Sequence, residues 1–367
     1  MQKVNINEVK RAWMISDIHF GVRSSSLEWL GIHEDYFYNF FIPMIKDKKK
    51  DGDCLFVLGD VFESRQSLNI LILNKALEIF RKLSEIMPII IIVGNHDIYR
   101  KQTNEIHSTI IFNNIKNIEV LTEPAVYQTK FKSVFMMPWV EDKTKEVEII
   151  RNNPADYMFC HTDFLNMKYN RKVAIEEGLN PDVVEHYKKV YSGHIHYSQH
   201  TKNIRMIGCP LQLTRGDIYN QKYVYLLDFE NDKEVRFVND YSPRFLKFKI
   251  DDILDVTLDE MQEHVKNNFV DIIVDSKWSS KFPFAQFSDA LDGHKKINYI
   301  LSSLTKDYED EDYDGEEIEL EDLIAIHINE LPYTDKTKEK LLDVSLKLYR
   351  KAVKLTEEKD IENAINL

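Results

Sequence analysis

The stretch that decides the fold reads IIIIVGNHD and occupies residues 89–97. Five consecutive apolar residues directly after Pro88 predict a short strand that is buried on both faces of a sheet. The glycine that follows predicts a tight turn, and Asn95, His96 and Asp97 then place three polar side chains just beyond the strand. Because α/β folds build their sites at strand ends, this stretch predicts a functional site as well as a strand.

Four other motifs, found by working outward from this stretch, repeat the arrangement of a polar side chain after an apolar run. They are Asp17-Ile18-His19, Gly59-Asp60, Cys160-His161 and Gly193-His194-Ile195-His196. Any one of them alone has an ordinary explanation, since an isolated Asp-x-His is mostly chance and an isolated buried histidine is usually a core residue. Five such motifs in order instead indicate one shared site at the edge of a sheet.

The motifs supply seven oxygen and nitrogen donors, of which four are imidazoles. These donors are Asp17, His19, Asp60, Asn95, His161, His194 and His196. One ion rarely needs so many protein ligands, whereas two divalent ions that share a bridging carboxylate need about this number. Donors of this type suit Mn²⁺, Fe²⁺ or Zn²⁺ more than Ca²⁺ and leave the choice among these ions open, with Mg²⁺ as a further alternative. Two ions roughly 3.5–4 Å apart can bind and activate one phosphodiester.

Length and composition limit the class of protein. A chain of 367 residues predicts two or three structural units, and 43% apolar residues exclude wholesale disorder. Its three cysteines, Cys54, Cys160 and Cys209, are too scattered for a disulfide framework or a zinc site. Neither a membrane-spanning apolar run nor a secretory signal is visible. We therefore expect a cytoplasmic protein.

The negative charge is concentrated in one segment. The chain carries 48 Lys and Arg against 61 Asp and Glu, a net charge of −13. Residues 306–322 alone contain eleven acidic residues and one lysine. The acidity of the whole chain is therefore no argument against a polyanionic substrate.

The order of predicted elements divides the chain into four parts. We predict a main domain at 1–245, a small α+β unit at 246–303, an acidic linker at 304–322 and a C-terminal helical segment at 323–367. Strands and helices alternate early in the main domain and strands dominate later, which predicts an α/β sandwich of mixed sheets. A helix with a broad apolar face is predicted over 66–87. In the small unit we expect helices at 258–268 and 286–302 around a strand at 269–275.

The five motifs, spread over residues 11–197, are similar to the signature of the metallophosphoesterase (calcineurin-like) superfamily. Within it, SDIHFG at 16–21 and GDVFE at 59–63 resemble the SbcD-type nucleases. That family comprises nuclease subunits of double-strand-break repair and recombination complexes, including the recombination endonuclease subunits of tailed phages. The resemblance implies a metallophosphoesterase fold at 1–245, a DNA-capping domain at 246–303 and a Mn²⁺-dependent DNA exonuclease and endonuclease. A phage-encoded member would act in the host cytoplasm.

The resemblance also implies a role for each site residue. One metal ion would be held by Asp17, His19 and His196. The second would be held by Asn95, His161 and His194, and Asp60 would bridge the two ions. His96 would protonate the departing 3′ oxygen, and Asp97 would orient the His96 ring. Some relatives carry His where this chain has Glu63, and bacterial relatives carry an acidic residue there. The balance between exonuclease and endonuclease activity therefore stays open.

The resemblance implies two protein partners besides DNA. Family members dimerise through helices in the region that corresponds to residues 66–116 here, although that helix could simply be buried. Their C-terminal helices dock on an ABC-type, SbcC-like coiled-coil ATPase. The helices predicted here at 316–330 and 336–356 fit that role, with a helix folded back on its own core as the alternative.

Two other functions are compatible with the same donors. The first is a metallophosphoesterase that acts on a phosphoprotein or a small phosphodiester. Protein phosphatases of the superfamily usually carry GDxVDRG and GNHE, whereas this chain has GDVFES and GNHD. The second is a scaffold that binds DNA ends without cleaving them, which is disfavoured because all seven donor positions are filled.

Overall fold

The computed structural model describes residues 4–100, 103–275, 277–278, 282, 284–301, 328, 333–334, 336–349 and 351. The chain divides into two compact units, Met1–Asp312 and Tyr313–Leu367. Among the described residues, none of the helices combines the length and the apolar content that crossing a bilayer requires.

The first unit is built mainly from strands. In the described residues they are β1 (Arg11–Ile15), β2 (Asp53–Leu58), β3 (Ile89–Ile92), β4 (Ile98–Arg100), β5 (Thr103–His107), β6 (Ile118–Leu121), β7 (Ala125–Gln128), β8 (Ser133–Met137), β9 (Tyr157–His161), β10 (Lys189–Gly193), β11 (Gln199–Thr201), β12 (Ile204–Met206), β13 (Tyr223–Asp228), β14 (Lys233–Val238), β15 (Phe245–Lys249), β16 (Phe269–Val274) and β17 (Lys296–Leu301). The α-helices are Leu27–Asp35, Ile42–Lys48, Ile70–Ile86, Lys143–Asn152, Ile250–Ile253, Leu258–Val265 and Phe284–Asp289, with a π-helical stretch at Tyr36–Phe41 and short 3-10 turns at Ile6–Glu8, Ser108–Asn114, Pro181–Val184 and Arg215–Asp217.

Two six-stranded sheets form the body of this unit. The first has the order β14-β13-β1-β2-β3-β6, and the second has the order β11-β12-β10-β9-β8-β7. Strands β1, β2, β3 and β6 run parallel, while β13 joins β1 antiparallel. In the second sheet β8, β9, β10 and β12 run parallel, with antiparallel strands at both edges. Both sheets are therefore mixed, which confirms the predicted α/β class.

The sheets stack face to face with helices outside them. Alternate residues of β3 enter different cores, because Ile89 and Ile91 pack against the helices while Ile90 and Ile92 pack between the sheets. Phe56 of the first sheet meets Phe159 of the second with ring centroids 5.0 Å apart. This burial on both faces explains why β3 is apolar throughout.

The helix predicted over 66–87 begins four residues later than the sequence pattern indicates. It runs over Ile70–Ile86, because the Asn69 side chain accepts from the Leu71 N–H at 2.9 Å and so caps the first turn. Its buried face includes Ile79 and Phe80.

Strands β15, β16 and β17 form a third sheet, in which all three run parallel in that order. The helix predicted at 286–302 is wrong over most of its length, because the helix there is only Phe284–Asp289 and residues 296–301 are β17. Gly293 has φ +68°, a left-handed conformation that breaks the helical path and turns the chain into the strand.

In the second unit, residues 336–349 are helical, which confirms the predicted helix at 336–356 over its described part. None of the side chains at 336–349 is buried. The predicted linker at 304–322 lies outside the described residues, and so does nearly all of the predicted helix at 316–330.

Candidate metal centre

The predicted site residues meet at the carboxyl ends of five strands. Strands β1, β2 and β3 of the first sheet are followed by Asp17 and His19, by Asp60 and by Asn95. In the second sheet β9 ends at His161, and β10 leads into residues 194–196. Residue Gly193 of β10 pairs with His161 of β9, so these two strand ends are level. Both sheets therefore contribute donor residues to one site at the carboxyl ends of their strands.

One group of donors comprises Asp17, His19 and His196, whose potential ligand atoms all lie within 4.8 Å of one another. The His19 Nε2 and His196 Nε2 atoms are 2.9 Å apart. The Asp17 Oδ1 atom accepts from the His194 N–H at 2.9 Å, whereas its buried Oδ2 has no hydrogen-bond partner among the described residues. An orphaned buried carboxylate oxygen beside two facing imidazole nitrogens fits a cation site.

A second group comprises Asp60, His161 and His194, with Asn95 beside it. The Asn95 side-chain amide lies 2.8 Å from both His161 Nε2 and His194 Nδ1. The His161 Nδ1 atom is 2.7 Å from the Leu58 carbonyl, so in the neutral ring Nδ1–H donates there and Nε2 presents its lone pair to the group. The Asn95 amide therefore joins this group in either orientation of its oxygen and nitrogen.

Asp60 lies between the two groups. Its Oδ2 atom is 3.1 Å from His161 Nε2 and 3.9 Å from His19 Nε2. Ligands bonded at about 2.1 Å to one ion lie about 3 Å from each other, so these separations fit divalent ions. The donors present therefore fit two ions that share the Asp60 carboxylate.

Two glycines allow the strand ends to approach this closely. A Cβ atom at Gly94 would overlap Asp60 Oδ1, and one at Gly193 would overlap Ser16 Oγ. Any side chain at either position would push the two donor groups apart.

The ionisable groups of the centre influence one another strongly. Burial alone would raise the pKa of Asp60, but His161 and other imidazoles hold it well below its usual range. Burial would lower the pKa of His161, yet the Asp60 carboxylate raises it to about 9. For His194 burial dominates and His161 adds to it, so its pKa falls well below the usual value. The Asp60 carboxylate therefore stays charged, with the His161 imidazole held against it.

His96 lies beside the first donor group, but its contact with Asp97 differs from the one that the resemblance implies. The His96 ring lies 4.9 Å from the His19 ring, and its backbone N–H donates to Asp60 Oδ1 at 2.8 Å. The prediction that Asp97 orients this ring is wrong, since His96 Nδ1 instead lies 2.8 Å from the Glu63 carbonyl.

The Asp97 carboxylate accepts hydrogen bonds from backbone N–H groups. It accepts from the N–H groups of Val61, Phe62 and Gly94 at 3.0–3.2 Å and is buried. Burial raises its pKa to about 7, and the nearby Asp60 charge adds to the rise. Asp97 therefore joins the loops after β2 and β3 and positions Asp60 indirectly.

Glu63 is part of the centre. Its carboxylate contacts His19 Nδ1, and only 14% of its side chain is exposed. Burial would raise the pKa of Glu63, but the His19 charge lowers it to about 2. The carboxylate therefore holds the proton of His19 on Nδ1 and directs Nε2 toward Asp60 and His196.

Sequence reasoning missed a buried ammonium group behind the centre. The Lys222 Nζ atom donates to the His196 carbonyl at 2.8 Å and to Asn220 Oδ1 at 3.1 Å, and it also contacts Asp217. This lysine is 3% exposed. It follows none of the motif strands, and its only signal in the sequence is a charge directly before the apolar run of β13.

Trp139 was missed as well. Its ring centroid lies 4.9 Å from that of His194 and 6.1 Å from that of His161. The indole thus covers one side of the second donor group. It follows β8, which carries none of the five motifs.

The fold and the centre together define a phosphoesterase. The chain matches the calcineurin-like phosphoesterase family over residues 10–238, which is more than half of its length, and it belongs to that family. This match spans both sheets and all seven donor residues.

Individual relatives come from viruses. The chain is 28% identical to exonuclease subunit 1 of Enterobacteria phage T4 over 358 residues, which covers 92% of this chain and 98% of the relative. It is 26% identical to the phosphoesterase-like protein 244L of Invertebrate iridescent virus 6, over 60% of this chain and 76% of that protein. A solved structure described as a novel archaeal phosphodiesterase is 12% identical, with a TM-score of 0.34, and covers 62% of this chain and 99% of its own.

Proposed function

We propose that this protein is a DNA nuclease that hydrolyses phosphodiester bonds with two divalent cations, Mn²⁺ first among them. The observation that supports this most is the position of Asp60 Oδ2 between two groups of imidazole and carboxylate donors. Membership of a phosphoesterase family and similarity to a phage exonuclease subunit along most of the chain point to DNA as the substrate.

In this proposal Asp17, His19 and His196 hold one ion, Asn95, His161 and His194 hold the other, and Asp60 bridges them. Two bound ions would supply positive charge for the phosphate oxygens and lower the pKa of an attacking water. Glu63 keeps His19 in the required tautomer through their contact. The Asp97 and Lys222 contacts hold the loops that carry Asp60 and His196.

In this proposal His96 protonates the leaving group. Its Nδ1 is engaged by the Glu63 carbonyl, which leaves Nε2 for the substrate. Burial lowers the pKa of His96, against the opposing effect of the Asp60 carboxylate. A lowered pKa makes the imidazolium a stronger acid, although it reduces the fraction of His96 that is protonated; in that protonated fraction Nε2–H would protonate the departing 3′ oxygen.

The test is His96→Asn, assayed with Mn²⁺ on single-stranded, duplex and hairpin DNA. We expect unchanged metal stoichiometry and a loss of about 10²- to 10⁴-fold in cleavage. The exposed His200→Asn should cleave like the parent. Equal cleavage by His96→Asn and the parent would refute the assigned role. If the parent hydrolysed a chromogenic phosphate ester but no DNA, the small-molecule or phosphoprotein alternative would replace the nuclease.

We also propose a homodimer through the region 66–116. Ile70 is 75% exposed and Ile106 is 62% exposed, with Leu71, Tyr99 and Ile110 also exposed nearby in sequence. Apolar side chains exposed in such numbers favour an interface with another copy. The measurement is the mass in solution of the parent and of Ile70→Asp with Ile106→Asp. A parent that is monomeric at micromolar concentration would contradict the dimer.

The C-terminal helix is proposed to dock on the coiled coil of an ABC-type ATPase. Leu341, Val344 and Leu348 of the helical residues 336–349 are exposed and lie on one face by their spacing. Val344→Asp with Leu348→Asp should abolish association with the ATPase, while Glu339→Lys, which lies on the opposite face by the same spacing, should not. If both variants associated equally, this face would not be the docking site. A phage complex of this kind would act in the host cytoplasm.

A further inference from the structure

A second concave site lies beside the metal centre. A cavity of about 350 Å³ is lined by residues 211–212, by residues 219–222 before β13, and by residues 239–240 and 242–248, which include most of β15. This volume falls within the range of pockets that hold small molecules. The wall at 219–222 is tied to the metal centre, since Lys222 donates to the His196 carbonyl and Asn220 donates to the Ser198 carbonyl at 3.0 Å.

An aromatic side chain stands at the rim of this cavity. Tyr219 has φ +65°, a left-handed conformation that a bulky residue rarely adopts, and 69% of it is exposed. The Arg171 guanidinium lies over its ring, 5.4 Å from the centroid. An exposed ring beside a cation, held in a strained backbone conformation, is suited to stacking on a planar ligand.

The cavity is lined by more positive than negative charge. Lys247 and Arg244 contribute cations. Burial and the nearby Lys172 ammonium lower the pKa of Lys247, while the Asp271 carboxylate opposes this. Asp240 is the carboxylate in the lining. The other nearby carboxylate, Asp271, accepts two hydrogen bonds from Arg215, at 2.6 and 3.2 Å, and one from Asn298 at 2.7 Å. Two cations beside an aromatic ring fit an anionic ligand with a planar base.

We propose that this cavity binds one nucleotide of a single-stranded nucleic acid, with the base on Tyr219 and the phosphate near Lys247 and Arg244. The inference deepens the proposed function, because the same strand would extend past His196 into the metal centre. It assigns the protein a subsite for single-stranded substrate that is separate from the cleaved bond.

The experiment measures binding of a fluorescent thymidine 12-mer to the full-length protein in EDTA, where cleavage cannot proceed. Tyr219→Ala should weaken binding by about 5-fold or more, and Tyr219→Trp should restore it, because stacking accepts any aromatic ring. The matched control is Tyr223→Ala, since Tyr223 also lies 5.4 Å from an arginine, Arg236, but does not line the cavity. That control should bind like the parent.

Salt dependence tests the phosphate contact separately. Lys247→Ala should reduce the slope of log affinity against log salt by about 0.7, the value for one phosphate on a single strand. Tyr219→Ala should leave that slope unchanged. Lys249→Ala, on the same strand but outside the cavity lining, serves as the charge control.

The proposed subsite would be refuted if Tyr219→Ala and Tyr223→Ala lost affinity for the 12-mer equally, or if neither variant lost affinity. Failure to bind the 12-mer at all would overturn it as well. The proposed function fails on a different result, namely that the parent with Mn²⁺ does not cleave DNA. Binding in EDTA and cleavage in Mn²⁺ therefore report on the two proposals independently.

Discussion

Four of the residues that carry the centre have backbone conformations that few side chains adopt. Asp17, His19 and Asp60 have φ of 51–52°, and His194 has φ of 82°. A left-handed residue other than glycine costs about 1 kcal/mol or more, so the surrounding contacts must hold each one in place. The Asp17 carboxylate that accepts from the His194 N–H is one such contact, and it joins two strained loops from different sheets.

Lys222→Met should weaken the centre without touching a donor. The change removes the donor to the His196 carbonyl and leaves Asp217 as a buried carboxylate without its cation. We expect a loss of about 3–5 kcal/mol in the free energy of unfolding and a fall of about 10- to 100-fold in Mn²⁺ affinity. Calorimetric titration with Mn²⁺, at a temperature where the variant is folded, measures the second effect.

Lys189→Met is the control for that experiment. Lys189 forms an ion pair with Glu234 at 3.2 Å on the edge of the sandwich away from the donors. The Lys189→Met variant should have a lower free energy of unfolding than the parent and the same affinity for Mn²⁺. If Lys222→Met bound Mn²⁺ as tightly as Lys189→Met, the positioning role of Lys222 would be disproved.

The helix Ile70–Ile86 depends on its cap. Asn69 Oδ1 accepts from Leu71 N–H at 2.9 Å and from Ile72 N–H at 3.5 Å. Asn69→Ala should reduce the free energy of unfolding by about 1 kcal/mol, while Asn69→Asp should reduce it much less because Asp caps equally well. Urea unfolding of the three proteins provides the comparison. Equal loss in both variants would show that the cap does not stabilise this helix.

The helix Leu27–Asp35 is joined to the loop after β1 by a buried histidine. His33 Nδ1 lies 2.8 Å from the Trp29 carbonyl, and Nε2 lies 2.7 Å from the Ile18 carbonyl, between Asp17 and His19. Burial lowers the pKa of His33, against the opposing effect of these two hydrogen bonds. Because the folded pKa is below the unfolded value of about 6.5, its contribution to stability is present above that pH and is lost as the pH falls below it.

His33→Gln should therefore flatten the pH dependence of stability. Between pH 7.5 and 5.5 we expect the parent to lose more of its free energy of unfolding than the variant, because protonating His33 is disfavoured in the folded state. Urea unfolding at the two pH values measures this difference. The exposed His200→Gln should follow the parent, and a parallel dependence in His33→Gln would contradict the prediction.

Strands with unbroken apolar runs were predictable because burial on both faces leaves a clear signal. The strand predicted at 89–93 exceeds β3 by one residue, and the strand predicted at 269–275 exceeds β16 by one residue. The error at 286–302 arose because Ile297, Tyr299 and Ile300 satisfy a helical period as well as a strand. Only the left-handed Gly293 and the pairing with β16 decide between them, and pairing is a long-range property.

The motifs predicted that the donor residues lie close together. They did not predict the hydrogen bonds that hold the donor loops in place. Strand ends indicated that Asp17, Asp60 and His161 lie at one edge. The hydrogen bonds of Asp97 to the loop after β2, and of Lys222 to His196, join segments far apart in sequence. No local pattern encodes such contacts, so they emerge only once the two sheets are packed together.

For the molecule as a whole, metal binding should stabilise the sandwich, because each donor group draws on both sheets. Asp17 and His19 follow strands of one sheet and His196 follows a strand of the other, and Asp60 and His161 are divided in the same way. Mn²⁺ at 100 times its dissociation constant should add about 2.7 kcal/mol to the free energy of unfolding, and more if two ions bind. Thermal unfolding with Mn²⁺ and with EDTA measures the shift in Tm.

Two buried aspartates distinguish this effect from general stabilisation. Asp60 and Asp53 each have 1% of their side chain exposed, but Asp53 pairs with Arg11 at the opposite end of the strand. Asp60→Asn should remove most of the shift that Mn²⁺ produces, because its bridging charge is gone. Asp53→Asn should lower Tm in EDTA and retain the full shift. Loss of the Asp60 carboxylate should weaken both donor groups together. If Mn²⁺ raised the Tm of both variants equally, Mn²⁺ would therefore stabilise the protein at another site.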